Sequence, residues 1–440
     1  MQTNHVQRWR AGLLLGRNIP LVKQHNRAVV LRVLRRFGPI SRRRMCEITR
    51  LQPATITNLV AGLMAEGLVR EVGSEQARSH QRRGGRRQVL VDLNPQGAFA
   101  VGVHIGVRLV TVAVGDLRGN RLCARALARP RAAGPEATLR LAAETIADVL
   151  QETAVDRSRV LGVGVASVGV VDPVEGVVRS APQLGWRNVP VRQALHEMLG
   201  LPVVVDNSRR AMMLGEVLFG SARDARNAMV VHVATTIGAG LLIEHRLFYG
   251  DSYGAAQLGH LVVDPEGPLC ACGGRGCLDA VAGELALIQR VREQVEAGRE
   301  SLIPRMAEGA LDALDARVVY AAALAGDPLA REMVAHVGRA LGAALVHALV
   351  LFDPELVVVT GHIQETGDLF FGPLRSAVEP HVVRVLGNAP RIVPSTLGPD
   401  ASAISALSLA LEHFFYGEGL HLETVAPVSP PALNARLALP

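Results

Sequence analysis

The sequence predicts an α/β chain in two parts, a small winged helix-turn-helix head and a larger two-lobed body, on three observations. Basic charge is gathered at one end: residues 1–95 hold 18 Lys+Arg against 5 Asp+Glu, a net of +13, while the remainder holds 29 against 35, a net of −6. That same end shows three apolar stripes at helical spacing and then an arginine-rich hairpin. Beyond it, two strand, glycine-turn, strand passages each lead a run of strands and helices.

A chain of 440 residues is too long for one ordinary domain. A hydrophobic content of 49% with 44 glycines and 3% aromatics suits an α/β protein rich in tight turns. No run of 18 uncharged apolar residues is present, so no membrane span is expected. Arg8, Arg10 and Arg17 surround an apolar stretch, Leu13 to Leu15, that is too short for a secretory signal. The cysteines are Cys46, Cys123, Cys270, Cys272 and Cys277; three crowded together imply a reducing, cytoplasmic compartment and a metal rather than disulfides. A basic head on a mildly acidic body implies a polyanion-binding unit joined to a sensor or an enzyme.

In the head, Val30, Val33, Leu34 and Phe37 form one helical face, and Gly38-Pro39 stops it. Ser41 can cap a second helix, Arg42 to Thr49, that buries Met45 and Ile48. Pro53 suits the first turn of a third, which buries Ile56, Leu59, Val60 and Leu63. That helix turns Thr55, Thr57, Asn58 and Ala61 outward, short side chains that admit it to a major groove. Strands at Leu68 to Val72 and Val89 to Leu93 would flank Arg82-Arg83-Gly84-Gly85-Arg86-Arg87, a basic wing tip able to enter a minor groove. The expected DNA-contacting residues are Arg42, Arg43, Thr55, Thr57, Asn58, Arg86 and Arg87. A three-helix unit that binds no DNA is the plainer reading; the polar third helix and the basic wing weigh against it.

In the body, Phe99 to Gly106, Leu109 to Leu117 and Arg121 to Leu127 read as strands, Glu136 to Thr153 as a helix and Val160 to Ser167 as a buried strand. Residues Ala228 to Ile243 repeat the opening hairpin, which implies a duplication with a cleft between two lobes. Cys270, Cys272 and Cys277 with His260 supply three thiolates and an imidazole, a closed tetrahedral set suited to structural Zn²⁺; Asp264 is a lesser candidate.

The run Gly238-Ala239-Gly240 through Gly250 to Gly259-His260, then Cys270-x-Cys272-Gly-Gly-x-Gly276-Cys277-Leu-Asp279, resembles the signature of the ROK family of repressors, open reading frames and sugar kinases. Further agreement lies at Val171-Asp172-Pro173 to Val178, Ser180 to Trp186, Leu201-Pro202 to Asn207 and Phe352-Asp353-Pro354-Glu355 to Gly361. The resemblance spans roughly residues 20 to 412 and implies an actin-like, ribonuclease H-like sugar-kinase fold behind a winged helix. It also implies zinc at the His260 and cysteine positions, and a dimer or higher oligomer formed through the body. The corresponding organisation is a flexible tail over 1–20, a DNA-binding domain over 21–95, a sensor over 96–416 and a disordered tail over 417–440.

Kinase chemistry needs a carboxylate at the acceptor hydroxyl and turns that cradle Mg²⁺-ATP. Where active family members resemble D-x-G-G-T, this chain has His104-Ile105-Gly106-Val107-Arg108. Where they have N-D it has Asn207-Ser208, followed by Arg209; Thr236 and His362 replace further glycines. The resemblance places sugar contacts at Asn207, Gln257, His260 and Asp279, with Gln257 and Asp279 standing where glutamates are usual and Gln183 where asparagine is common. The expected function is a non-enzymatic transcriptional regulator, a repressor binding operator DNA and sensing a carbohydrate. A partner-controlled regulator and a kinase with a DNA-binding head are the alternatives.

Overall fold

The computed structural model describes residues 19–75, 88–130 and 134–417. In the head, α1 (Ile19–Phe37) starts two residues before the expected domain boundary and buries Val30, Leu31 and Leu34. Phe37 departs from the expected face: it is 46% exposed, and the Arg36 guanidinium lies over its ring. Strand β1 (Ile40–Ser41) runs into α2 (Arg42–Thr49), where the Ser41 hydroxyl accepts from the Arg44 N–H at 3.3 Å. Proline opens α3 (Pro53–Ala65), which buries Ile56, Val60 and Leu63. Strands β2 (Val69–Glu75) and β3 (Gln88–Leu93) pair antiparallel, and β1 adds to β3 to complete the winged helix. The expected wing tip, with Arg86 and Arg87, lies outside the described residues.

The body repeats one topology. In the first sheet β4 (Phe99–Ile105), β5 (Leu109–Asp116) and β6 (Arg121–Ala128) form an antiparallel meander. Strands β7 (Val160–Ser167) and β11 (Val203–Asn207) extend it in parallel from β4. In the second sheet β12 (Ala228–Val233), β13 (Ile237–Ile243) and β14 (Arg246–Leu247) form the meander, and β15 (Leu356–Thr360) and β16 (Arg391–Pro394) extend it in parallel from β12. The duplication expected from the two hairpins is therefore present strand for strand.

Two helices join the lobes: α6 (Ser208–Leu218) packs on β12 and β13, and α13 (Ala401–Leu411) packs on α6 and across β4 and β7. The contact is backbone to backbone at Gly164, where a Cβ would stand 2.3 Å from the Ala406 carbonyl oxygen. In the second lobe, α11 (Pro328–Phe352) is long and apolar enough to cross a membrane by length and composition, but Leu341, Leu345 and Leu349 are buried in that lobe's core.

Head and body share one apolar core, in which Leu31, Leu34 and Met45 join Met213, Leu218, Leu407 and Tyr416. Its polar margin is built from α1 arginines. Arg32 pairs with buried Glu412 at 2.7 Å, and Arg35 lies over the Tyr416 ring and donates to the Leu218 carbonyl.

Candidate functional site

The interlobe cleft is organised by the end of β11. Asn207 caps α6, its Oδ1 accepting from the Arg209 N–H at 2.8 Å while its Nδ2 donates to the Gly169 carbonyl at 2.6 Å. The next residue, Ser208, is buried, and Arg209 crosses toward the other lobe. Its guanidinium donates to Ser208 Oγ at 3.0 Å and to Thr236 Oγ1 in the β12–β13 turn.

Two cavities meet at Arg209. The larger, of about 390 Å³, is lined by His104, Arg108, Ser208, Thr236 and His362, so the departures from the kinase pattern converge on one place. The smaller, of about 50 Å³, gathers all four expected sugar contacts, Asn207, Gln257, His260 and Asp279, with Gln183 and Arg209. A volume of 50 Å³ is well below the roughly 300 Å³ at which small-molecule sites begin. Asp279 accepts from the Ile237 N–H, and burial raises its pKa. Burial, then the charge of Arg209, lowers the pKa of His104 to about 4 and of His232 to about 3, so both imidazoles are neutral. Glu284, on the same cavity, is raised to about 7 by burial. Neither a base beside an acceptor hydroxyl nor a carboxylate for Mg²⁺ stands at position 104 or 208.

Sequence reasoning passed over His232 and gave Arg209 no role. The only signal for His232 was an imidazole within an apolar strand. That for Arg209 was a cation directly after the replaced acid.

His260, Cys270, Cys272 and Cys277 place their ligand atoms within 4.8 Å of one another. Thiolates bound to zinc at about 2.3 Å define a tetrahedron with edges of about 3.8 Å. Cys272 Sγ lies 3.7 Å from Cys277 Sγ, and Cys270 Sγ lies 3.8 Å from His260 Nδ1, so the donor set fits a tetrahedral metal. Gly276 has φ +66°, and a Cβ there would stand 1.5 Å from the Asp264 carbonyl oxygen, so the turn requires glycine. Asp264, the lesser candidate, is not in the cluster; its carboxylate accepts from the Glu266 N–H.

On the head, Thr57 and Asn58 are exposed and Thr55 is half-buried. Arg42 is drawn to Glu71 at 3.1 Å and Arg43 to Glu47 at 3.3 Å, so both cations have weak, solvent-accessible partners, and Arg42 also reaches Met64 of α3.

Residues 100–413 match the ROK family. The DNA-binding transcriptional dual regulator NagC of Escherichia coli is 30% identical over 396 residues, 89% of this chain and 93% of that protein. The xylose repressor of Bacillus subtilis is 28% identical over 397 residues, 89% of this chain and 96% of that protein. Among solved structures, a ROK family transcriptional regulator, a homologue of the E. coli MLC protein, superposes with a TM-score of 0.74 at 27% identity, covering 91% of this chain and 98% of that one.

Proposed function

From the premise that the chain belongs to the ROK family, we infer that it is a non-enzymatic transcriptional repressor, with α3 and the wing as its DNA-reading elements and the interlobe cleft as its carbohydrate sensor. The observation that carries this reading is the coincidence of a head shared with named repressors and a nucleotide-side cavity whose acidic and glycine positions are replaced. A repressor acts on DNA in the cytoplasm, and a symmetric operator would suit a dimer formed through the body.

In this reading the +13 charge of residues 1–95 draws the head to the phosphate backbone. Arg42, Arg43 and the wing residues Arg86 and Arg87 hold phosphate or minor groove, while Thr55, Thr57 and Asn58 read base edges. Asn207, Gln257, His260 and Asp279 hold the sugar. His260 and the three cysteines would hold zinc, which braces a loop of little apolar burial; Nδ1 faces the thiolates and leaves the other ring edge for a hydroxyl.

Footprinting of the full chain on its own upstream region tests the reading, with protection expected and lost steeply as salt rises. Asn58→Ala should relax base preference, whereas Arg86→Ala with Arg87→Ala should weaken all sites alike. No protection on that region or on neighbouring promoters would remove the assignment. One observation favours a second reading, a regulator controlled by a partner protein: the Arg209 side chain occupies the junction of the two cavities. Calorimetry against a panel of monosaccharides separates the two.

A further inference from the structure

The carbohydrate-sensing reading leaves one group in the cleft without a role. Three arginines at the cleft margin are matched by acids, Arg108 with Asp315 at 3.0 Å, Arg121 with Asp400 at 2.7 Å and Arg125 with Glu152 at 2.6 Å, and Arg317, which makes no such pair among the described residues, is exposed at the rim. Arg209 differs. Its guanidinium bonds to two neutral hydroxyls, Ser208 and Thr236, and among the described residues it makes no ion pair within 4.0 Å. Asp279 is the acid whose charge it feels, yet that carboxylate is engaged with the Ile237 N–H and forms no ion pair with it within 4.0 Å. The neighbouring imidazoles of His104 and His232 are neutral and offer no counter-charge.

A cation enclosed without an anion is costly, and the surrounding backbone is shaped to keep it. Gly238 makes room for it, since a Cβ there would stand 2.6 Å from Arg209 Nε. The side chain lines both cavities, at the point where a group attached to a sugar in the smaller would enter the larger. A planar guanidinium is suited to grip two oxygens of one carboxylate or phosphate.

We propose that Arg209 is a specificity-determining residue that makes the cleft select a carbohydrate bearing an acidic group, a carboxylate or a phosphate, over its neutral parent. The inference rests on the carbohydrate-sensing reading of the same cleft. The anion and the Thr236 hydroxyl compete for the same N–H donors. Binding therefore releases a bond that ties the start of α6 to the β12–β13 turn, and it opens volume in a site that otherwise holds about 50 Å³. The ligand thus shifts the lobe arrangement by its differential affinity for the released state.

Titration calorimetry of the full chain would compare aldohexoses, their uronic acids, their 6-phosphates and inorganic phosphate. At least one acidic sugar should bind tenfold or more tightly than its neutral parent, with a preference that shrinks as salt rises; the uronic acid and phosphate arms identify which acid it is. Arg209→Gln should abolish that preference, and Arg209→Lys, which keeps the charge but loses the fork, should retain part of it. A neutral sugar bound as tightly as its acids, or a preference unchanged in Arg209→Gln, overturns the proposal and leaves the sensor reading standing. Binding of inorganic phosphate with no sugar-dependent gain overturns the carbohydrate part. No binding by any probe removes both the proposal and the sensor reading, while footprinting still judges the repressor.

Discussion

Arg35 of the N-terminal head donates to the carbonyl of Leu218, the last residue of the helix whose first turn carries Ser208 and Arg209 into the cleft. One element of 11 residues therefore has one end in the interlobe cleft and the other against α1. Arg36 adds a bond to the Arg223 carbonyl at 2.9 Å, just beyond that helix. Between them, these two bonds join α1 to the far end of α6 by direct contact.

The first prediction follows from that contact. Arg35→Leu removes a charge-assisted bond and the stacking on Tyr416, and it should cost roughly 1.5–3 kcal/mol of stability. Because head and body share a core, the wild-type chain should unfold in one calorimetric transition. The variant should show the head transition separating from that of the body. A single unshifted transition in the variant would show that the junction does not depend on Arg35.

The second concerns the metal. Protein purified without added metal should contain one zinc per chain, and Cys272→Ser should lose it. The loop carries exposed Val262 and Leu269 and little apolar burial, so the metal supplies what packing does not. The variant should be less stable and cleaved by protease within residues 260–277. A metal content near zero with unchanged stability would dismiss the site.

Much of this was readable in the sequence, because caps, stops and periodicity are local. Ser41, Gly38-Pro39 and Pro53 set the head helices where the structure has them. The Cys270, Cys272 and Cys277 spacing announced its cluster for the same reason. What escaped depended on long-range packing. Phe37 continues the apolar stripe of α1 yet is exposed, with the Arg36 guanidinium over its ring. Arg209 reads as one more arginine in an arginine-rich chain; only the return of β12–β13 to the start of α6 gives it Thr236 as a partner.

The third prediction uses the buried titratable groups. His104 and His232 titrate in the folded chain at about 4 and about 3, below the unfolded value of about 6.5. Their unfolded forms take up protons first, so stability falls as pH drops below 6.5, by up to roughly 1.4 kcal/mol per pH unit for each. Glu284 acts in the opposite direction: at about 7 it is raised above its unfolded range near 4.3, so acidification from 7 toward 4.3 favours the folded state. Denaturant melts between pH 7 and 5 should show Glu284→Gln losing stability more steeply than wild type, and His232→Asn less steeply. Parallel slopes in all three proteins would refute these burial effects.

The last prediction separates a lost active site from a latent one. Ser208→Asp restores the acid at the position the kinase pattern requires, beside a cavity of nucleotide-compatible size, about 390 Å³. It should nevertheless give no sugar-dependent ATP turnover. An aspartate at 208 would lie within reach of the Arg209 Nη1 that now donates to Ser208 Oγ, and the new carboxylate would pair with that guanidinium rather than accept a hydroxyl proton. Such pairing holds an acid ionised and lowers its basicity, which is the wrong direction for a general base. Beyond it, His104 is neutral and offers no carboxylate to Mg²⁺, and Arg108 is already paired with Asp315. Adding Arg209→Ala to Ser208→Asp would free the acid, but the phosphate turns would still lack their glycine and threonine. Coupled assays of ATP consumption with the wild type and both variants decide the matter. Turnover in the single variant would mean that only one residue stands between this chain and catalysis, and that its cleft is a kinase site held in reserve.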